Sequence, residues 1–174
     1  EEGWVVGREG GRALAFLGNV TAPDGREHAE VFVVELPADL TLAGDGPLEG
    51  TSTRRPAPPH GVVQRRRTFT AERKFPGVVT STRHWLRASP DGEQIAFLMK
   101  DDAGVAQLWT VSPRAGEPRQ VTRNETGVSS AFTWSPDGQR IAHVMDGSVC
   151  VTAMTDGRTV RLTARRTGGD APLP

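Results

Sequence analysis

Apolar residues along this chain fall in short runs separated by turn residues, and no run keeps helical spacing. Ile95 to Lys100 reads Ile-Ala-Phe-Leu-Met-Lys, breaks at Asp101-Asp102-Ala103-Gly104, and resumes at Gln107 to Val111. The same succession returns at Ile141 to Met145, Asp146-Gly147 and Val149 to Ala153. Runs of this length and composition, bounded by such turns, predict strands, and Asp-Gly is a two-residue hairpin turn. Within Ile95 to Met99 both parities are apolar (Ile95, Phe97, Met99 and Ala96, Leu98). That pattern predicts a strand covered on both faces. No segment joins a sustained 3.6-residue period to helix caps, so helix is expected to be scarce.

The succession is an internal repeat. Ser89-Pro90-Asp91-Gly92 returns as Ser135-Pro136-Asp137-Gly138, an offset of 46, which also carries Ile95-Ala96 onto Ile141-Ala142 and Met99 onto Met145. A worn copy with an offset of 81 aligns Trp4 with Trp85, Gly11 with Gly92, Leu14 with Ile95 and Ala15-Phe16 with Ala96-Phe97. These registers make Phe16, Phe97 and His143 equivalent on second strands, and Phe32, Trp109 and Cys150 equivalent on third strands. First strands are expected at Trp85 to Ala88 and Phe132 to Trp134. Fourth strands are expected to end at Thr70, Thr122 and Thr163, with Arg67 to Thr70 as the last element of the first copy.

Four strands per unit of roughly 40–45 residues is the period of a β-propeller blade. The expected fold is all-β, a propeller segment of about three four-stranded blades. The units are 1–70, with an irregular insertion at about 43–66, then 83–122 and 131–163, with 164–174 as a linker toward a further blade. Propellers close with typically four to eight blades, so the arc is expected to be part of a larger propeller. Missing blades or a second copy should cover the faces near Trp4 and near Met145 and Val151.

An aromatic strand, Ser-Pro-Asp-Gly, Ile-Ala-Phe, a Trp-bearing strand and a closing Leu/Val-Thr resemble the WD40-like blades of TolB-type six- or seven-bladed propellers. The run from Arg73 to Thr163, with His84-Trp85-Leu86-Arg87 and Gln107-Leu108-Trp109, resembles an uncharacterised bacterial family related in fold to TolB and to oligogalacturonate lyase. The resemblance implies a propeller, and propellers host binding, scaffolding and catalysis alike. Two functional expectations follow. One is a non-catalytic module that binds a ligand or a protein. The other, implied by the lyase, is a metal-dependent lyase on acidic sugars, with manganese held by several histidines in the central channel.

Composition narrows the chemistry. Lys+Arg and Asp+Glu are both 21 in 174 residues, so no overall field draws the chain to nucleic acid or to a membrane. Arg65-Arg66-Arg67 lacks interleaved aromatics to stack bases and reads as a solvated loop. No run approaches the roughly 18 apolar residues of a membrane span. The one cysteine, Cys150, excludes an internal disulfide and reads as a small core hydrophobe. The chain has no Gly-x-Ser-x-Gly elbow, phosphate loop or His-Glu-x-x-His, so no catalytic motif stands out. The channel mouth is where a ligand is expected. His84, at the start of an innermost strand, is the candidate metal ligand or a structural histidine. Arg87 on the same strand is the candidate for a carboxylate, or a partner for a structural acid. His143 reads as a core histidine. His28 and His60 fall in expected loops. Compartment is not legible.

Overall fold

The computed structural model describes residues 3–81 and 85–165. Twelve strands form three four-stranded antiparallel sheets, each in sequence order, and the described residues contain no α-helix. The first sheet holds β1 (Gly3–Val6), β2 (Arg12–Thr21), β3 (Glu27–Glu35) and β4 (Val63–Arg66). The second holds β5 (Arg87–Ala88), β6 (Ile95–Lys100), β7 (Ala106–Val111) and β8 (Arg119–Gln120). The third holds β9 (Thr133–Trp134), β10 (Arg140–Met145), β11 (Ser148–Ala153) and β12 (Thr159–Arg161).

Register confirms the repeat at its centre. Phe16 pairs with Phe32, Phe97 with Trp109, and His143 with Cys150, each directly across the second and third strands of its sheet. At the first strand the alignment shifts. Leu14 and Ile95 are equivalent, yet Leu14 pairs with Trp4 while Ile95 pairs with Ala88. Trp4 therefore takes the place of Ala88, and of Trp134 opposite Ile141, rather than that of Trp85. The cause is a longer ladder in the first sheet, which runs on through Val5–Ala13 and Val6–Arg12 before it turns. The turn glycine shifts likewise. Gly92 and Gly138 have positive φ, and in the first sheet that role falls to Gly10 rather than Gly11.

The fourth strand of the first sheet is Val63–Arg66, inside the stretch expected to be irregular, and not Arg67 to Thr70. Register explains it, since Val33 pairs with Arg65 and Glu35 with Val63, and Arg65 reaches the Glu35 carboxylate. The irregular excursion spans 36–62, closed on itself by a bridge between Ala43 and Pro59. The expected linker at 164–174 lies, beyond Arg165, outside the described residues.

The sheets stack face to face. Ala13, Ala15, Val31 and Val33 of the first sheet pack on Ile95, Phe97, Met99, Trp109 and Val111 of the second. Ala96, Leu98 and Leu108, on the other parity of the second sheet, pack with Phe132 and Ile141 on the side of the third. The two apolar parities of β6 thus serve two different neighbours. Connectors seal each junction. Val78 N–H donates to the Ala29 carbonyl and Val128 N–H to the Ala106 carbonyl, while Val78 bridges to Met99 and Val128 to Met145. Met145 is accordingly buried, at the inner junction and not on the outer face assigned to it from sequence.

Candidate functional site

At one end of each sheet, past its last strand, a threonine ties the chain back to the third strand. The Thr68, Thr122 and Thr163 hydroxyls accept from the N–H groups of Val31, Leu108 and Val149 at 2.9, 2.9 and 3.0 Å. In the first two sheets the same hydroxyl donates to a fully buried side chain, Glu30 or Gln107. The residue two positions on, Thr70 or Asn124, donates its N–H to that same side chain. Glu30 also accepts from the Thr70 hydroxyl and from Arg66 Nη2, each at 2.8 Å, and lies 3.0 Å from His28 Nε2. Burial pushes the Glu30 carboxyl up, but the Thr68, Thr70 and Arg66 hydrogen bonds outweigh it and hold the group below the usual glutamate range. This end also carries the hairpins between second and third strands and the connectors between sheets.

The residues singled out from sequence are dispersed. His84 lies outside the described residues. Arg87 is on β5, half-buried, opposite Ala96 and so on the face turned to the third sheet. Its carbonyl accepts from Trp134 Nε1 at 3.1 Å, which ties the inner edges of the two sheets together. His143 is buried in the core, 2.9 Å from the Thr152 hydroxyl, and burial lowers its pKa. Cys150 is buried beside it across the sheet. His28, expected in a loop, lies buried on β3. The basic run is no solvated loop. Arg65 pairs with Glu35, Arg66 with Glu30, and Arg67 donates to the Ser112 and Gly116 carbonyls of the second sheet. Among the described residues no three of His, Cys, Asp or Glu come together to hold a metal ion.

What sequence reasoning missed is a cleft of about 370 Å³ at the connector end, between the 73–81 connector and the rim of the second sheet. Trp109 forms its floor, with the Arg73 guanidinium 4.8 Å above the ring. Asp101, Asp102, Gln120, Arg123 and Asn124 complete the wall. The Asp101 carboxylate is engaged, accepting from the Ala103 and Val105 N–H groups and from Gln107. Burial raises its pKa, and those hydrogen bonds more than reverse the effect. Arg73 donates to the Lys100 carbonyl and stands 3.9 Å from the exposed Asp102. Arg123 is exposed and forms no ion pair among the described residues. The cleft thus offers an aromatic floor, an exposed cation and amide side chains. The one legible signal was the hairpin Asp101–Gly104 beside a strand tryptophan.

The crystal structure of TolB from Acinetobacter baumannii is similar to this chain over 93% of its length, with a TM-score of 0.54 at 19% identity. The fold is TolB-like. The similarity takes in 31% of that TolB chain. In sequence, the chain is 51% identical to the uncharacterized protein YidR of Escherichia coli over 166 residues, 94% of this chain. It spans 39% of YidR's length. A shorter stretch of 55 residues is 44% identical to the uncharacterized peptidase YuxL of Bacillus subtilis and covers 8% of that protein. No family model matches the chain.

Proposed function

We propose that this chain is a non-catalytic binding module of a TolB-like propeller, and that its ligand is an acidic sugar seated in the Trp109 cleft. The observation that carries the reading is Arg123, a cation with no ion pair among the described residues, lining a cleft with a tryptophan floor and the guanidinium of Arg73. A guanidinium fork suits a carboxylate, and the Trp109 ring holds the Arg73 guanidinium over it at the cleft. Of the two carboxylates that line the cleft, Asp101 is held by the Ala103 and Val105 N–H groups and by Gln107.

Isothermal titration with galacturonate, and with galactose as the uncharged control, tests this. Binding of galacturonate alone, weakened at least tenfold by Arg123→Ala, is the expected result. Equal response to both sugars, or none to either, overturns it. Metal analysis separates the reading from a manganese-dependent lyase on the same sugars: stoichiometric bound manganese would favour the lyase.

A further inference from the structure

At the end of the sheets opposite the connectors, three arginines meet across the junction between the first and second sheets. Arg8 lies in the turn between β1 and β2, Arg65 on β4, and Arg67 just past it. Shared partners hold them together. The Glu35 carboxylate accepts from the Arg8 backbone N–H at 3.0 Å and receives the Arg65 guanidinium. The turn between β7 and β8 presents alternate carbonyls to the other two side chains. Ser112 and Gly116 accept from Arg67 at 3.1 and 3.0 Å, and Arg114 accepts from Arg8 Nε at 3.3 Å.

The charges in this cluster do not cancel. Among the described residues neither the Arg8 nor the Arg67 guanidinium forms an ion pair, and the carbonyls that hold them are neutral. The neighbouring Arg114 guanidinium is taken by Glu93. Glu35 offsets one of the three positive charges, while Glu117, beyond ion-pair distance, favours the charge on Arg67. Arg65 Nε is buried with no hydrogen-bond partner, a donor left unmet at a cost in free energy. Burial pushes the Arg65 and Arg67 guanidinium groups below their ordinary value, and the charge on Arg8 pushes both further down. Cations held close together by neutral carbonyls attract an anion. Arg8 is exposed, and Arg65 and Arg67 are half-buried, so ions reach the cluster from solvent.

We propose that Arg8, Arg65 and Arg67 form an anion site for a doubly charged tetrahedral oxyanion of the phosphate class. Guanidinium forks match phosphate oxygens in pairs. The two positive charges that Glu35 leaves over suit a dianion, whereas a single carboxylate would leave one of them standing. Arg8 and Arg65 belong to the first sheet and Arg67 is fastened to the second, so a bound phosphate bridges the junction and stabilises it. The site lies at the other end of the sheets from the Trp109 cleft and does not depend on what that cleft binds.

Isothermal titration of the chain with inorganic phosphate near neutral pH, against sodium chloride of equal ionic strength, tests the proposal. Saturable binding at one site is expected, together with a thermal midpoint raised above that in chloride. Arg8→Gln changes an exposed side chain, should leave far-UV circular dichroism unchanged, and should weaken phosphate binding at least tenfold. Arg26→Gln removes the same charge from the hairpin at the opposite end and should leave the affinity as it was. Glycerol 2-phosphate separates the two sources of such a group. Binding as tight as that of inorganic phosphate assigns the site to a phosphoryl group on a small molecule, and weaker binding assigns it to the free ion. No response beyond that to chloride overturns the proposal. So does acetate binding as tightly as phosphate, or an affinity that Arg8→Gln leaves unchanged or that both substitutions lower alike.

Discussion

At the scale of single residues, the contrast between Glu30 and Gln107 is the most informative. Both fill equivalent positions and receive a threonine hydroxyl, yet only Glu30 is charged, and Arg66 stands beside it at the position that Gln120 takes in the second sheet. The third sheet also has an arginine there, Arg161, which donates to the Ser148 hydroxyl. The acid and the arginine form a unit that one sheet keeps and the next replaces with two amides. Glu30→Gln should therefore cost about 3 kcal/mol, the low end for breaking a buried pair, because Arg66 keeps some exposure to water. Adding Arg66→Gln should recover at least about 0.5–1 kcal/mol of that loss in a double-mutant cycle followed by urea denaturation. An additive pair would show that the two side chains do not act together. The titration has a definite sign. The folded-state pKa of Glu30 lies below its ordinary value of 4.5, so the unfolded chain takes up the proton first. The stabilisation is complete above that ordinary value and is lost as pH falls through the folded one. Denaturation midpoints measured from neutral pH into acid should fall more steeply for the wild type than for Glu30→Gln.

At the scale of elements, the junction between second and third sheets depends on how closely two backbones approach. Gly157, in the turn before β12, has φ +74, and a Cβ placed on it would fall 2.0 Å from the Val121 carbonyl oxygen. Gly157→Ala should cost at least about 2 kcal/mol: about 1–2 kcal/mol for a left-handed conformation of an L residue, with displacement of that carbonyl added. Gly116 has φ +91 with nothing within 4 Å of the same built atom. Gly116→Ala should show the conformational cost alone, and equal losses in thermal melts would refute the close approach. Trp109 tests the other junction. It is 8% exposed and donates to the Met99 carbonyl, so Trp109→Ala should cost about 3–5 kcal/mol through lost burial and the cavity left behind. An unchanged denaturation midpoint would contradict that placement.

At the scale of the whole molecule, each described sheet touches only its neighbours, so stability is close to a sum of sheet and junction contributions. The first junction is built around Phe97, Met99 and Trp109, and the second around Leu98, Leu108, Phe132 and Ile141. Leu98→Ala should loosen the third sheet selectively. Hydrogen exchange should then show the β10 and β11 amides opening at lower free energy than those of β2 and β3, which keep their own junction. Uniform loss of protection over all three sheets would instead mean that the stack unfolds as one unit.

The repeat was legible in the sequence because turn chemistry and strand parity are local. Ser-Pro-Asp-Gly prescribes a turn wherever it occurs, and two apolar parities on Ile95 to Met99 demand two covering neighbours. The place of Trp4 was not legible, since it depends on how many pairs the first hairpin adds before it turns, and an alignment without register cannot count them. Nor was the strand Val63–Arg66, whose arginines look solvated until Glu30 and Glu35 are brought opposite them from more than 25 residues away. The Trp109 cleft is likewise a product of tertiary structure. Arg73, Trp109 and Arg123 lie on a connector, a strand and the next connector, and only the stacking of one sheet on another brings a distant guanidinium over the tryptophan ring. Short-range geometry is written residue by residue, while a site assembled across a junction exists only once the sheets have met.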